Sequence, residues 1–333
     1  MNTRPAAESA STDDAADQLR LGKQLLSRQG SEVRRAADLI HRAAQLGDAE
    51  AASLAAVLAA AGVLGAADWD GALRYLLRAA ELGWSPAQQQ LQLLSTNREA
   101  AVDPCDQRWR QLHARIRIEA WLRCGEKQRL LESPRLRAVP AFASPEECQW
   151  LIRLARHRLQ RAKTYDPDSA QAQESGLRTN SEADFDLLEI DLILLLLRER
   201  IAAVSGLPTQ VMELTKVLHY APGQRFDRHY DYLEPSSPEM QRELATRGQR
   251  LITFLLYLND DYVGGETDFP LAGFRYRGRP GDALLFANVD PAGMPDPRSL
   301  HAGLPPSSGE KWLLSQWLRD RTPSTPGRPA TGE

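Results

Sequence analysis

The segment Ala43-Ala44-Gln45-Leu46-Gly47 returns as Ala79-Ala80-Glu81-Leu82-Gly83, an offset of 36 residues. Its flanks return with it: Leu39-Ile40-His41-Arg42 falls on Tyr75-Leu76-Leu77-Arg78, and Ala51 on Ala87. A fixed period of about 20–50 residues marks stacked supersecondary units, none of which can bury its apolar face alone. The small residues Ala43, Ala44, Ala51 and Ala52 let two helices approach closely, and Gly47 and Gly83 suit helix ends that need a left-handed residue. The first third of the chain therefore reads as an array of antiparallel helix pairs. Its uncharged run, 51–67, is 17 residues long, dominated by alanine and interrupted by Gly62 and Gly65. A spanning helix needs about 20 strongly apolar residues, so no membrane association is expected. The apolar run 192–197 is shorter still and belongs in a core.

The pattern A-x-x-[L/Y]-x-x-x-A-A-x-x-G over 36–47 and 72–83 resembles the Sel-one-like repeat, a relative of the tetratricopeptide repeat. That resemblance implies a partner-binding or inter-domain surface rather than chemistry; a plain alanine-rich bundle is the alternative. A length of 333 residues suits two domains. With 41 basic against 44 acidic residues and no dense Lys/Arg block, nucleic acid is not an expected partner. The three cysteines, Cys105, Cys124 and Cys148, lack metal-finger spacing and read as reduced thiols. No basic-then-apolar signal opens the chain, so a cytoplasmic protein is expected.

The organisation expected is a disordered tail over 1–18, a helical repeat domain over 19–103, a connecting helix over 104–133, a catalytic domain over 134–320 and a disordered tail over 321–333. Ser144-Pro145-Glu146-Glu147 carries a capping-box pattern that starts a helix. The polar stretch 163–182 reads as a mobile surface loop. Beyond residue 204 the period changes, and 216–220, 251–258, 283–286 and 311–318 are short β-prone runs bounded by Pro222-Gly223, Gly264-Gly265, Pro280-Gly281 and Ser308-Gly309. Short strands following a helical layer suggest an antiparallel sandwich or barrel.

Within that region His229-Tyr230-Asp231 puts an imidazole and a carboxylate two residues apart, on one face if the segment is an extended strand. His301 lies 70 residues beyond Asp231, and two histidines with one carboxylate form the facial triad that leaves positions open on ferrous iron. Lys311, ten residues further on, opens a strand in which Leu313, Ser315 and Trp317 share its face. A lysine buried there requires an anionic partner. Tyr220 ends the preceding strand and can add a hydroxyl. Singly, each residue has an ordinary structural reading; together they describe a site.

The run from Tyr220 through Pro222-Gly223, Phe226 and His229-Tyr-Asp231, then Tyr257-Leu-Asn259, Gly264-Gly265-Glu266-Thr267, Pro280-Gly281-Asp282 and His301-Ala-Gly303 with Lys311-Trp312, resembles the catalytic domain of prolyl 4-hydroxylases. The likeness covers about 134–320 and includes Arg178-Thr179-Asn180. It implies an α+β double-stranded β-helix, a jelly roll, behind the all-α array, and an Fe(II)- and 2-oxoglutarate-dependent dioxygenase. On this resemblance His229, Asp231 and His301 would hold iron, and Lys311, Tyr220 and Thr267 would bind the distal carboxylate of 2-oxoglutarate. Dioxygen would be the oxidant, 2-oxoglutarate would leave as succinate, and ascorbate would stimulate turnover. Trp317 reads as core packing beside the cosubstrate, and Arg178 as either a substrate-loop arginine or a solvated cation.

The expected reaction is hydroxylation of a prolyl side chain in a protein or peptide recruited by the helical array. Free proline or another small metabolite is the alternative substrate. A repeat scaffold with a catalytically silent oxygenase-like domain is the alternative of another class. Zinc hydrolysis fits less well, because it leaves Lys311 without a role and the chain has no H-E-x-x-H helix.

Overall fold

The computed structural model describes residues 6–27, 32–96, 108–165, 172–173 and 175–322. Cys105 lies outside them, as do residues 1–5 and 323–333 of the two expected tails. The chain divides into a helical unit, Met1–Arg123 with Asp186–Leu197, and a sheet unit, Cys124–Phe185 with Arg198–Glu333.

In the helical unit, helices Ala6–Ser27, Val33–Gln45, Ala49–Ala60, Trp69–Glu81 and Ser85–Ser95 pack each on the next. Their interior is small: Ala36, Ala37, Ala43, Ala51, Ala52, Ala55, Ala56, Ala72 and Ala79 are wholly buried. Asp48 and Asp68 cap the helices they precede, accepting from the backbone N–H of Ala51 and Gly71. Gly47 and Gly83 follow helix ends with φ of 97° and 90°, the left-handed conformation that glycine adopts without strain. The expectation of a disordered segment over 1–18 is corrected, because the chain is helical from Ala6. Ala6, Ala7, Ala10, Ala15 and Ala16 favour helix, and Ala15 and Leu19 are buried. The single connecting helix expected over 104–133 is also corrected. Helices Arg108–Arg115 and Ile118–Trp121 are separated by Arg117, which is extended, and Gln128–Glu132 is a strand. The unit is completed by Asp186–Leu197, whose apolar half, Leu192–Leu197, is buried.

The sheet unit is antiparallel throughout its named pairs. The larger sheet runs Gln128–Glu132, Arg135–Val139, Ala283–Ala287, Arg250–Tyr257, Lys311–Arg319, Thr215–Tyr220, Ser181–Phe185 and Gln160–Arg161. The smaller runs Phe274–Tyr276, Thr267–Phe269, His301–Gly303 and Phe226–His229. Leu136, Leu218, Leu255, Tyr257, Leu284, Phe286 and Leu313 of the first sheet form one apolar core with Phe269 of the second, an arrangement that agrees with a jelly roll. Helix Pro145–Arg156 starts with the full capping box of Ser144 and Glu147. The mobile loop expected over 163–182 is corrected in its described part. Thr164–Tyr165 pairs with Ala172–Gln173, and Ser181 begins a strand of the larger sheet.

Candidate active site

The smaller sheet sets His301 directly opposite His229 in its register. Side chains facing each other across an antiparallel pair stand close enough to share a ligand, and the two ring centroids are 4.2 Å apart. The strand expected to carry His229 and Asp231 together ends at His229, and Asp231 sits in the bend beyond it. The carboxylate nevertheless converges, with Oδ1 at 3.5 Å from His229 Nε2 and Oδ2 at 3.5 Å from His301 Nε2. Each residue offers one ligand atom, and the three atoms lie within 4.8 Å of one another.

Backbone carbonyls fix both rings. His229 Nδ1 lies 2.8 Å from Asp227 O, and His301 Nδ1 lies 3.0 Å from Ser299 O. A carbonyl only accepts, so both Nδ1 atoms donate and both Nε2 atoms are turned toward Asp231. Burial, reinforced by neighbouring His229, lowers His301 to about 4 and keeps it neutral at ordinary pH. Burial alone would raise Asp231, but His301, His229 and the Arg250 guanidinium outweigh it and hold the carboxyl well below the usual range. Phe226 stacks on His229 with centroids 3.4 Å apart.

Lys311 stands opposite Tyr220 in the larger sheet and is wholly buried. Its Nζ has no hydrogen-bond partner among the described residues and lies 5.2 Å from the centre of the Tyr220 ring. Burial lowers its pKa to about 7, Glu266 opposing the shift and Arg277 adding to it. Gly265, at φ 71°, leaves the room this requires: a Cβ there would lie 2.9 Å from the Tyr262 ring and 3.4 Å from Lys311 Cδ. Thr267 shares a 2.7 Å hydrogen bond with the Tyr257 hydroxyl. All six residues singled out in the sequence, Tyr220, His229, Asp231, Thr267, His301 and Lys311, line one cavity.

A family model described as the 2OG-Fe(II) oxygenase superfamily matches residues 215–319. Prolyl 4-hydroxylase 1 of Arabidopsis thaliana is 37% identical over 206 residues, covering 58% of this chain and 71% of that one. The chain belongs to the prolyl 4-hydroxylase family. Prolyl 4-hydroxylase 2 of the same plant is 34% identical over 206 residues, covering 56% of this chain and 67% of that one. Among solved structures, the chain is similar to the viral collagen prolyl hydroxylase of Paramecium Bursaria Chlorella virus-1 in its 2OG complex. That likeness has 27% identity and a TM-score of 0.41, covering 55% of this chain and 94% of that one. As a member of this family the protein is an oxidoreductase, an iron(II)- and 2-oxoglutarate-dependent dioxygenase.

The residues present suit the groups that prolyl 4-hydroxylases use. Two imidazoles and a carboxylate are the donor set preferred by ferrous iron in a facial triad. The unpartnered ammonium at the cavity wall suits a dicarboxylate. Arg178, left open between two readings, is 3% exposed rather than solvated. It donates to Asn180, to the Lys163 carbonyl and to Glu182, and its guanidinium lies 4.7 Å from the Phe226 ring. Trp317 is buried as expected, yet it also lines the cavity, with Arg250 stacked 3.8 Å from its ring. Thr253, which reaches Asp231 from the larger sheet, and Asn288, which donates to Thr253, had no local signal in the sequence.

Proposed function

We propose that this prolyl 4-hydroxylase relative hydroxylates a prolyl side chain within a peptide or protein, with His229, Asp231 and His301 as iron ligands. Lys311, Tyr220 and Thr267 receive the distal carboxylate of 2-oxoglutarate. The chemistry that bound iron, cosubstrate and dioxygen supply is oxidative decarboxylation to succinate with delivery of one oxygen atom to a C–H bond. The chain's own part is positioning and exclusion of water. The carbonyls of Asp227 and Ser299 keep both histidines in the ligating tautomer before metal arrives. Lys311 anchors the far end of the cosubstrate as a point charge in a dry wall, where an ion pair is stronger than in water. Leu218, Leu255 and Leu313 line the same cavity and exclude water from the pair.

The observation that carries this reading is the gathering of a metal-binding triad and a buried, unpartnered ammonium on one cavity. A silent scaffold needs neither. The helical unit serves in this proposal as a Sel-one-like repeat array that recruits the substrate protein, supported by buried Ala43 and Ala79 and by left-handed Gly47 and Gly83 at the 36-residue spacing. Ascorbate stimulation and a cytoplasmic location belong to the same proposal.

The test is iron-dependent formation of succinate from 2-oxoglutarate by the full chain, with mass spectrometry of Pro-containing peptides, free proline and lysate protein. Hydroxylated peptide or protein, lost in His229→Ala, is the expected result. Turnover confined to free proline or a metabolite overturns the substrate class, and turnover that survives His229→Ala overturns the metal assignment.

A further inference from the structure

Asp231 is the least supported member of the triad by its own backbone. The two histidines are locked by strand pairing and by carbonyls two residues away, whereas Asp231 lies past the strand end, in a bend whose backbone has no ladder to fix the side chain. Its orientation must come from elsewhere. The Thr253 hydroxyl reaches over from the Arg250–Tyr257 strand and donates to Asp231 Oδ2 at 2.6 Å. Asn288, just beyond the neighbouring Ala283–Ala287 strand, donates from Nδ2 to Thr253 Oγ1 at 3.0 Å. With the Asn288 amide supplying a proton to the hydroxyl oxygen, the hydroxyl proton is turned toward the carboxylate. The charged acceptor also makes that bond the stronger one.

Thr253 is 1% exposed, Asn288 0% and Asp231 4%, so water does not compete for these bonds. The sheet register explains why the chain can be built this way. Thr253 stands opposite Phe286, which places the residues after Ala287 alongside the first turns of the Arg250–Tyr257 strand. Neither residue is among those that line the cavity.

We infer that the Asn288–Thr253 pair is a positioning device for the metal site, fixing the rotation of the Asp231 carboxylate so that it meets the metal in a single orientation. This rests on the assignment of His229, Asp231 and His301 as ligands. Partners of ligating carboxylates typically change metal affinity by about 10–100-fold when removed. The proposal therefore concerns binding, and its readout is independent of turnover.

Mn(II) affinity of the full chain is measured by titration for the wild type, Thr253→Val, Thr253→Ser, Asn288→Ala and His229→Ala, each with its melting temperature. Thr253→Val is expected to weaken Mn(II) binding by about tenfold or more, Asn288→Ala by less, and Thr253→Ser to stay within about threefold of wild type, each measured well below the variant's own melting temperature. A Thr253→Val protein that binds Mn(II) as the wild type does, or a Thr253→Ser protein that loses as much as Thr253→Val, overturns the proposal. Should Thr253→Val fail to fold, wild-type Mn(II) affinity in Asn288→Ala overturns it instead. Failure of the wild type to bind Mn(II), or binding unaffected by His229→Ala, removes the ligand assignment itself and this proposal with it.

Discussion

The two units bury opposite kinds of interior. Among the described residues, the helical unit hides alanine and leucine, and its buried polar side chains are Gln90, Ser95 and Asp191, the last of which accepts from the backbone N–H of Leu194. The sheet unit buries Glu147, Arg178, Arg200, Asp231, Arg250, Lys311 and Arg319. Burying a charge is unfavourable unless it is paired, and most of these are. Arg200 pairs with Glu147, and Arg250 and Arg319 both grip Glu213. Burial alone would raise Glu213, but Arg250 and Arg319 bring it down to about 2. Lys311 Nζ has no hydrogen-bond partner among the described residues, and it faces the cavity that holds the triad. The contrast teaches that buried charge here has two uses, cross-bracing and ligand capture, and that the missing partner tells them apart.

The bracing side of that contrast breaks most visibly at Arg200. Arg200→Ala leaves the Glu147 carboxylate buried and uncompensated, and denaturant unfolding of the full chain is expected to show a loss of about 3–5 kcal/mol in the sheet unit's transition. In the helical unit the vulnerable property is volume rather than charge. Ala43→Leu forces three extra carbons into a site with no exposed surface and is expected to destabilise by about 1–3 kcal/mol, read by the same method. Arg200→Ala with wild-type stability, or Ala43→Leu with a neutral effect, would erase the distinction between the two interiors.

The ligand-capture side is sharpened by pH. The Lys311 pKa is lowered to about 7 in the absence of a partner, and a dicarboxylate needs the ammonium form. Below about pH 7 the lysine already carries its proton; above it, binding must take one up. Affinity for 2-oxoglutarate is therefore expected to be flat on the acid side and to fall by up to tenfold per pH unit on the alkaline side. Isothermal titration in two buffers of different ionisation enthalpy checks both the affinity and the proton uptake. The smallest effect is expected at the surface: Glu239→Gln, which removes the exposed i,i+3 partner of Arg242, should change stability by no more than about 0.5 kcal/mol.

Local chemistry was legible in the sequence and long-range chemistry was not. The capping box at Ser144 and Glu147, the glycine helix ends at Gly47 and Gly83 and the alternation Lys311, Leu313, Ser315, Trp317 all follow from neighbours a few residues apart, and all appear as expected. The gathering of six site residues was legible only because they match a family pattern, since no spacing rule brings Tyr220 opposite Lys311 or His229 opposite His301. The end of the strand at His229 was missed because H-x-D reads equally well as strand or bend. Burial of Arg178 was missed because a polar composition over 163–182 resembles a surface loop, whereas Glu182, Asn180 and Phe226 supply an enclosed site for the guanidinium. The Thr253 contact to Asp231, and the Asn288 contact to Thr253, join segments far apart in the chain and left no local trace.

The account turns on the Lys311 ammonium being held for a carboxylate, and one measurement addresses it directly. Binding of 2-oxoglutarate and of 2-oxobutyrate, which lacks the distal carboxylate, is titrated into the Mn(II)-loaded full chain as wild type and as Lys311→Met. Truncating one side of a buried charge pair costs about 2–5 kcal/mol, so 2-oxoglutarate is expected to weaken by at least about 30-fold while 2-oxobutyrate changes by less than about threefold. Equal losses for both acids, or 2-oxoglutarate affinity unchanged in Lys311→Met, would contradict it.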